Sequence, residues 1–366
     1  NAMTPLPSSQ RWLMLVGWIA LVCWKMLAFS TTTSTVTRLE KFNHGSGKHD
    51  QQTKMKHIHI SLRDGAVPLI LFIVLMKCFA MENFANFVGS TAIFGSLILL
   101  FGGEGDRRYV AKKFAAYHFL ALILCACVDV SPKNSNSLAI CAAAFGILTA
   151  AYPLSGWIDS FAMRSQSQFF CTWLIAMRPI IVWFFLASMG ATVLPRGDSA
   201  ISVIFTVFTW ASLGFVPILF FAKTELRRLV GRITCWQSGY IWLFARNFAP
   251  EDFDLVTNLA ITQGILIAII YQAMDSLCGG DNCNSMENVK GLFEENYTLA
   301  GLLTSSLSLL IIAPIIFTFK RNMPHLPNVV IPQLLGSMIL PLAFDFKIYR
   351  LMKNRKPQGS ARGTQS

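Results

Sequence analysis

Residues 169–193 read FFCTWLIAMRPIIVWFFLASMGATV, an apolar run interrupted by a single charge, Arg178. Such a run is long enough to cross the roughly 30 Å hydrocarbon layer of a bilayer as a helix. Nine further apolar stretches flank it, at 12–29, 66–81, 87–103, 114–130, 138–157, 201–222, 255–274, 298–318 and 328–345. Lipid offers no hydrogen bonds to an open strand, so all of these read as helices. The chain is therefore expected to be an all-α, polytopic transmembrane bundle of about nine to ten spans.

Composition agrees. Hydrophobic residues make up 54% of the chain and charged residues 14%, against about a quarter charged in a soluble domain. The 29 Phe and 9 Trp suit lipid-facing surfaces and interfacial belts. The formal charge of +12 does not point to nucleic acid, because the basic residues are spread over short loops and do not form one stripe that tracks a phosphate backbone. In such loops they face the cytoplasm and attract anionic lipid headgroups.

The loops set the orientation. Residues 31–65 hold Arg38, Lys41, Lys48, Lys54, Lys56 and Arg63; residues 104–113 hold Arg107, Arg108, Lys112 and Lys113; residues 223–234 hold Lys223, Arg227, Arg228 and Arg232. The positive-inside rule places these three on the cytoplasmic side and residues 1–11 outside, in a plasma membrane or an endomembrane. Asn1-Ala2 ahead of Met3 reads as a cloning remnant, and the run 12–29 reads as a retained span.

The basic tail 346–366, expected to be disordered and cytoplasmic, conflicts with simple counting. Two repairs exist. In the preferred one, 328–345 is broken or re-entrant, because Pro324, Pro327, Pro332 and Pro341 with Gly336 weaken its helix. The basic, aromatic stretch 235–249, within an interfacial segment 223–250, then lies in the headgroup region, and the loop 275–297 is extracytoplasmic. In the other, 235–249 is an extra span that brings 275–297 to the cytoplasmic side. Residues 12–345 form a single transmembrane domain in either case.

The loop 275–297 carries Cys278 and Cys283 in Cys-Gly-Gly-Asp-Asn-Cys, a spacing that suits a local disulfide in an oxidising compartment. It also carries the sequon Asn296-Tyr297-Thr298, a glycosylation candidate lying close to the next span.

Ionisable groups inside a membrane are costly, so each is a functional candidate. Arg178, followed by Pro179, is read as a ligand for an anionic solute or an internal carboxylate; the alternative is a snorkelling side chain. Lys77 and Glu82 would line a cavity mouth or end a helix at the interface. His118 suits proton coupling, or simply an interfacial position. Asn258, Gln263 and Gln333 offer amides for a polar solute or for helix contacts. His44, His49, His57 and His59 are metal-ligand types, but their spacing matches no closed site and lysines surround them, so no metal is assigned. No cofactor is implied.

The function expected from this pattern is a transporter or permease for a small polar or anionic solute, working by alternating access. A membrane-embedded enzyme acting on lipid-linked substrates, and a receptor or subunit of a membrane complex, are the alternatives.

Overall fold

The structure is a computed structural model that describes residues 14, 16, 84–102, 107–126, 135–165, 167–190, 200–222, 225–247, 253–277, 291–319 and 330–354. Among the described residues every regular element is helical. In chain order they are α1 (Phe84–Gly102), α2 (Arg107–Ala126), α3 (Ser135–Leu148), α4 (Gly156–Arg164), α5 (Ser167–Thr172) and α6 (Arg178–Gly190), followed by α7 (Ala200–Trp210), α8 (Leu226–Asn247), α9 (Phe253–Leu277), α10 (Leu292–Glu295), α11 (Tyr297–Phe319) and α12 (Val330–Lys353). A π-helical turn, Trp173–Met177, joins α5 to α6. A second π turn, Ala211–Phe215, and a 3-10 turn, Val216–Phe221, continue α7.

Six helical stretches among the described residues are long and apolar enough to cross a membrane: Arg108–Ala126, Phe169–Leu186, Ser202–Phe221, Asp254–Asp275, Tyr297–Thr318 and Val330–Lys353. Val88–Leu100 and Ala139–Leu148 are shorter apolar helices. The expected spans 12–29 and 66–81 fall outside the described residues, apart from Met14 and Val16.

α8 is the axis of the bundle. It packs on α4, α7, both irregular turns after α7, and α9; α9 in turn packs on α5, α6 and α11, and α11 on α12. On the far side, α1 lies along α2, which packs on α3 and α4. Close packing requires small residues at two crossings. A side chain at Gly239 of α8 would meet Leu213 Cγ at 2.7 Å, and one at Gly264 of α9 would run into the carbonyl oxygen of Leu174.

The irregular backbone follows from proline. A proline has no N–H to give to the carbonyl four residues earlier, and its ring crowds that carbonyl. Pro179 stands four residues after Ile175 and Pro217 four after Leu213, and each of those residues lies inside a π turn. The wider turn relieves the clash. The expected span 138–157 is likewise interrupted: α3 ends at Leu148, residues 149–155 are non-helical, Ala150 adopts φ 58°, and Tyr152-Pro153 is cis. Lipid would not tolerate these exposed backbone groups, so the breaks sit where other helices can cover them.

Of the segment 328–345, expected to be broken or re-entrant, the described residues 330–345 belong to one continuous helix, α12, which has Pro341 inside it and runs on to Lys353 in the expected tail. Pro332 sits in the first turn, where an N–H has no helical partner anyway, and Pro341 removes one bond from a long helix. The stretch 235–249, expected to lie in the headgroup region, continues α8 without a break as far as Asn247, and residues 233–245 are all buried among other helices.

Candidate functional site

The breaks converge on the middle of α8. Arg178, the first residue after the π turn, is fully buried. Its Nη2 donates to Ser238 Oγ at 3.1 Å, while Nε and Nη1 have no partner among the described residues. Ser238 Oγ in turn lies within hydrogen-bond reach of the carbonyls of Thr149 and Thr234. Trp242 Nε1 donates to Thr149 Oγ1 at 3.3 Å, and Trp157 Nε1 donates to the Ile147 carbonyl at 2.9 Å. The Tyr152 N–H donates to Ser212 Oγ at 3.0 Å, tying the non-helical stretch 149–155 to the second π turn.

α8 supplies these contacts because its central polar residues are short. Ser238 reaches the Thr149 carbonyl, which stands four residues before Pro153. Gln237 Nε2 donates to the Leu310 carbonyl at 3.2 Å, the acceptor that Pro314 leaves free inside α11. Two residues of one helix thus satisfy backbone carbonyls of two neighbours, one in a non-helical stretch and one that a proline releases inside a helix. Gln237 Oε1 remains without a partner, as do both amide atoms of the buried Gln263. Gln263 precedes Gly264, whose contact with Leu174 sets it on the helix facing the π turn.

No carboxylate pairs with Arg178 among the described residues; the ion pair there is Arg227–Asp275, at the end of the bundle where α8 starts and α9 ends. An unpaired guanidinium held away from water costs several kcal/mol unless its remaining N–H groups find acceptors. The site is therefore a buried fixed cation with unused donors, held by the Ser238 hydroxyl, which in turn reaches the Thr149 carbonyl. It attracts anions and hydrogen-bond acceptors and repels cations.

The other anticipated residues are dispersed. His118 is buried, its Nδ1 lies 2.9 Å from the Phe114 carbonyl, and Nε2 has no partner. It stacks on Phe114 and meets the edge of Trp157, which in turn meets Trp173 of the π turn. Asn258 is half-buried on α9. Gln333 lies on α12, beside a groove against α7. Asn296 is exposed and caps α11 by accepting the Leu299 N–H at 3.0 Å.

Lys77, Glu82, His44, His49, His57, His59, Cys278 and Cys283 lie outside the described residues. Among the described residues the free cysteines are Cys125, Cys141, Cys171 and Cys235, and no group of metal-ligating side chains occurs.

A second polar cluster surrounds Asp159 of α4. Burial holds its carboxyl above the usual value, against the opposing pull of Arg232, Arg228 and Lys113. Arg228 Nε donates to Met163 Sδ at 3.1 Å, and Arg232 donates to the Leu219 carbonyl. These arginines were read as loop charges, and the structure instead places them in the first turns of α8.

Taken together, the helices define an integral, multi-pass membrane protein. No family model and no curated protein sequence matches the chain. Its fold is similar to a chain of the Mrp complex from Dietzia sp. DQ12-45-1b, with a TM-score of 0.60 at 14% identity over 75% of this chain and 57% of that one. It is also similar to a chain of the membrane-bound sulfane sulfur reductase (MBS), an archaeal respiratory membrane complex, with a TM-score of 0.57 at 11% identity over 75% of this chain and 64% of that one. This chain therefore spans less than two thirds of either neighbour, and at these identities the likeness concerns the fold.

Proposed function

We propose that this chain is a solute-conducting subunit of a larger membrane complex, and that Arg178 binds a small anionic or polar solute on its way across. The observation that carries the reading is the buried guanidinium with two unused donors, set at a π turn. Such a group holds an acceptor-bearing solute at mid-bundle, with no competing carboxylate among the described residues. The similarity to chains of two membrane complexes supports the subunit role. The breaks at 149–155, 173–177 and 211–221 supply joints about which helix halves tilt during alternating access.

The test is solute flux through the complex, purified with its partners and sealed in liposomes. Arg178→Ala is expected to lower uptake of anionic solutes at least tenfold, and Arg178→Lys to restore part of it, since the charge returns without the planar fork. Unchanged uptake in Arg178→Ala would refute the assigned role.

We further infer that α8 crosses the membrane. Arg228 and Arg246 stand near its two ends, and the helical rise of about 1.5 Å per residue sets them roughly 27 Å apart, close to the hydrocarbon thickness. The Arg227–Asp275 pair supports this, because it puts the start of α8 and the end of α9 on one side. The loop after α9 then shares the cytoplasmic side with residues 223–234. Thiol reagents that cannot cross membranes should reach Cys278 and Cys283 only after permeabilisation; labelling on intact cells would restore the interfacial placement.

A further inference from the structure

Between the second π turn and α12 runs a groove of about 190 Å³ that is open on its outer side. Thr209, Trp210 and Gly214 line one wall, and Gln333, Gly336 and Ser337 the other. Thr209 and Gly214 fall in the middle of the span Ser202–Phe221, so the groove opens at mid-depth, towards lipid chains and not towards water.

Three features mark it as a built site. First, Thr209 is 4% exposed and its Oγ1 has no partner among the described residues. A helical threonine ordinarily returns its hydroxyl to the carbonyl four residues back, as Thr206 and Thr304 do here. Second, a side chain added at Gly214 or at Gly336 would meet nothing within 4 Å. Glycine is the poorest helix former after proline, and neither position has the close neighbour that requires it at Gly239 or Gly264. The two glycines instead keep open space on facing walls. Third, one wall is tied to the core: Ser337 Oγ lies 3.0 Å from Tyr240 Oη, on α8 two residues from Ser238.

We propose that the groove binds a lipid-soluble molecule whose carbonyl oxygen sits within an apolar body, entering sideways from the bilayer. At mid-depth no water is available to satisfy the Thr209 hydroxyl, so the acceptor has to arrive on a molecule that dissolves in the hydrocarbon. A phospholipid held by its ester groups would place those carbonyls at the interface, too far from Thr209. The volume lies below the roughly 300–1,000 Å³ of a site that encloses a whole small molecule. The carbonyl and its immediate neighbours occupy the groove, therefore, while the rest of the ligand stays among the lipid tails against the exposed ring of Trp210.

The test is photolabelling of the full chain with its native partners in nanodiscs, using an alkyl benzophenone that carries an alkyne tag. Its carbonyl is both the acceptor and the photoreactive group. A phosphatidylcholine with a diazirine in mid-chain serves as the control, reporting lipid contact without a carbonyl at that depth.

The benzophenone is expected to label peptides from 209–214 or 332–340, and an excess of a long-chain aliphatic ketone is expected to suppress that labelling. Gly336→Leu, whose Cβ would meet nothing within 4 Å and whose branch would occupy the groove, is expected to cut it at least fivefold. Thr209→Val, which keeps the shape and removes the hydroxyl, is expected to cut it about as much while the diazirine control is unchanged. Labelling at wild-type level in either variant overturns the proposal. So does efficient cross-linking of Gly336→Cys to another chain in native membranes, because the groove would then be a seam between subunits.

Discussion

α8 and α12 are helices of similar length with opposite fates. In α8, 17 of 22 residues are buried, yet its sequence LRRLVGRITCWQSGYIWLFARN carries arginines at both ends and Gln, Ser, Thr and Gly between them. In α12, a 24-residue helix, 7 residues are buried, forming a single stripe from Val330 through Leu334 and Met338 to Met352. Its outward positions include Leu335, Ile339, Leu342 and Phe346, the residues that give it the look of a span. In water, apolar residues mark the interior. Within a bilayer they mark the surface as well, and the more enclosed of these two helices is free to be the more polar one, because its neighbours supply partners that lipid cannot.

This contrast is open to direct attack. The largest difference is expected from truncating one large side chain on each helix. Trp242→Ala, which empties a site packed against Phe145, Phe205 and Phe208 and frees Thr149 Oγ1, is expected to destabilise the fold by about 3–5 kcal/mol. Ile339→Ala, at a position 66% exposed, is expected to cost within about 0.5 kcal/mol. Reversible unfolding in mixed micelles measures both, and equal losses would mean that α12 is as enclosed as α8.

A smaller, sharper effect is expected from hydroxyls. Ser238→Ala strands the Thr149 carbonyl and the third Arg178 donor, at a cost of about 1–3 kcal/mol. Ser305→Ala, at an exposed hydroxyl that merely returns to the Leu302 carbonyl, should be nearly neutral. A near-neutral Ser238→Ala would show that water already serves the cluster.

The same contrast explains what the sequence made legible. Long apolar runs announced the spans at 114–130, 255–274 and 298–318, because lipid exposure selects for uniform hydrophobicity. α8 carried no such signal, since a helix satisfied by its neighbours has no need of it. Arg178 stood out by its apolar surroundings, whereas Ser238, Thr149 and Gln237 did not: short polar residues are common in helices and gain meaning only from the carbonyl each one faces.

Prolines held information that counting them obscures. The cluster from Pro324 to Pro341 suggested a break, yet α12 is continuous. Pro153, Pro179 and Pro217 lie in or beside the observed breaks. The informative feature is the residue four positions earlier and whether a neighbour can cover its carbonyl. Gln237 opposite Leu310 shows how that is done.

The Gln237–Leu310 bond also bears on mechanics. Leu310 is the carbonyl that Pro314 leaves without its helical N–H, so a shift of α8 by one turn, about 5.4 Å, would part Gln237 from the acceptor it uses. The pair acts as a detent: it favours one register of α8 against α11 by about the 1 kcal/mol of a hydrogen bond, and opposes a slide more than a lean or a twist about the midpoint.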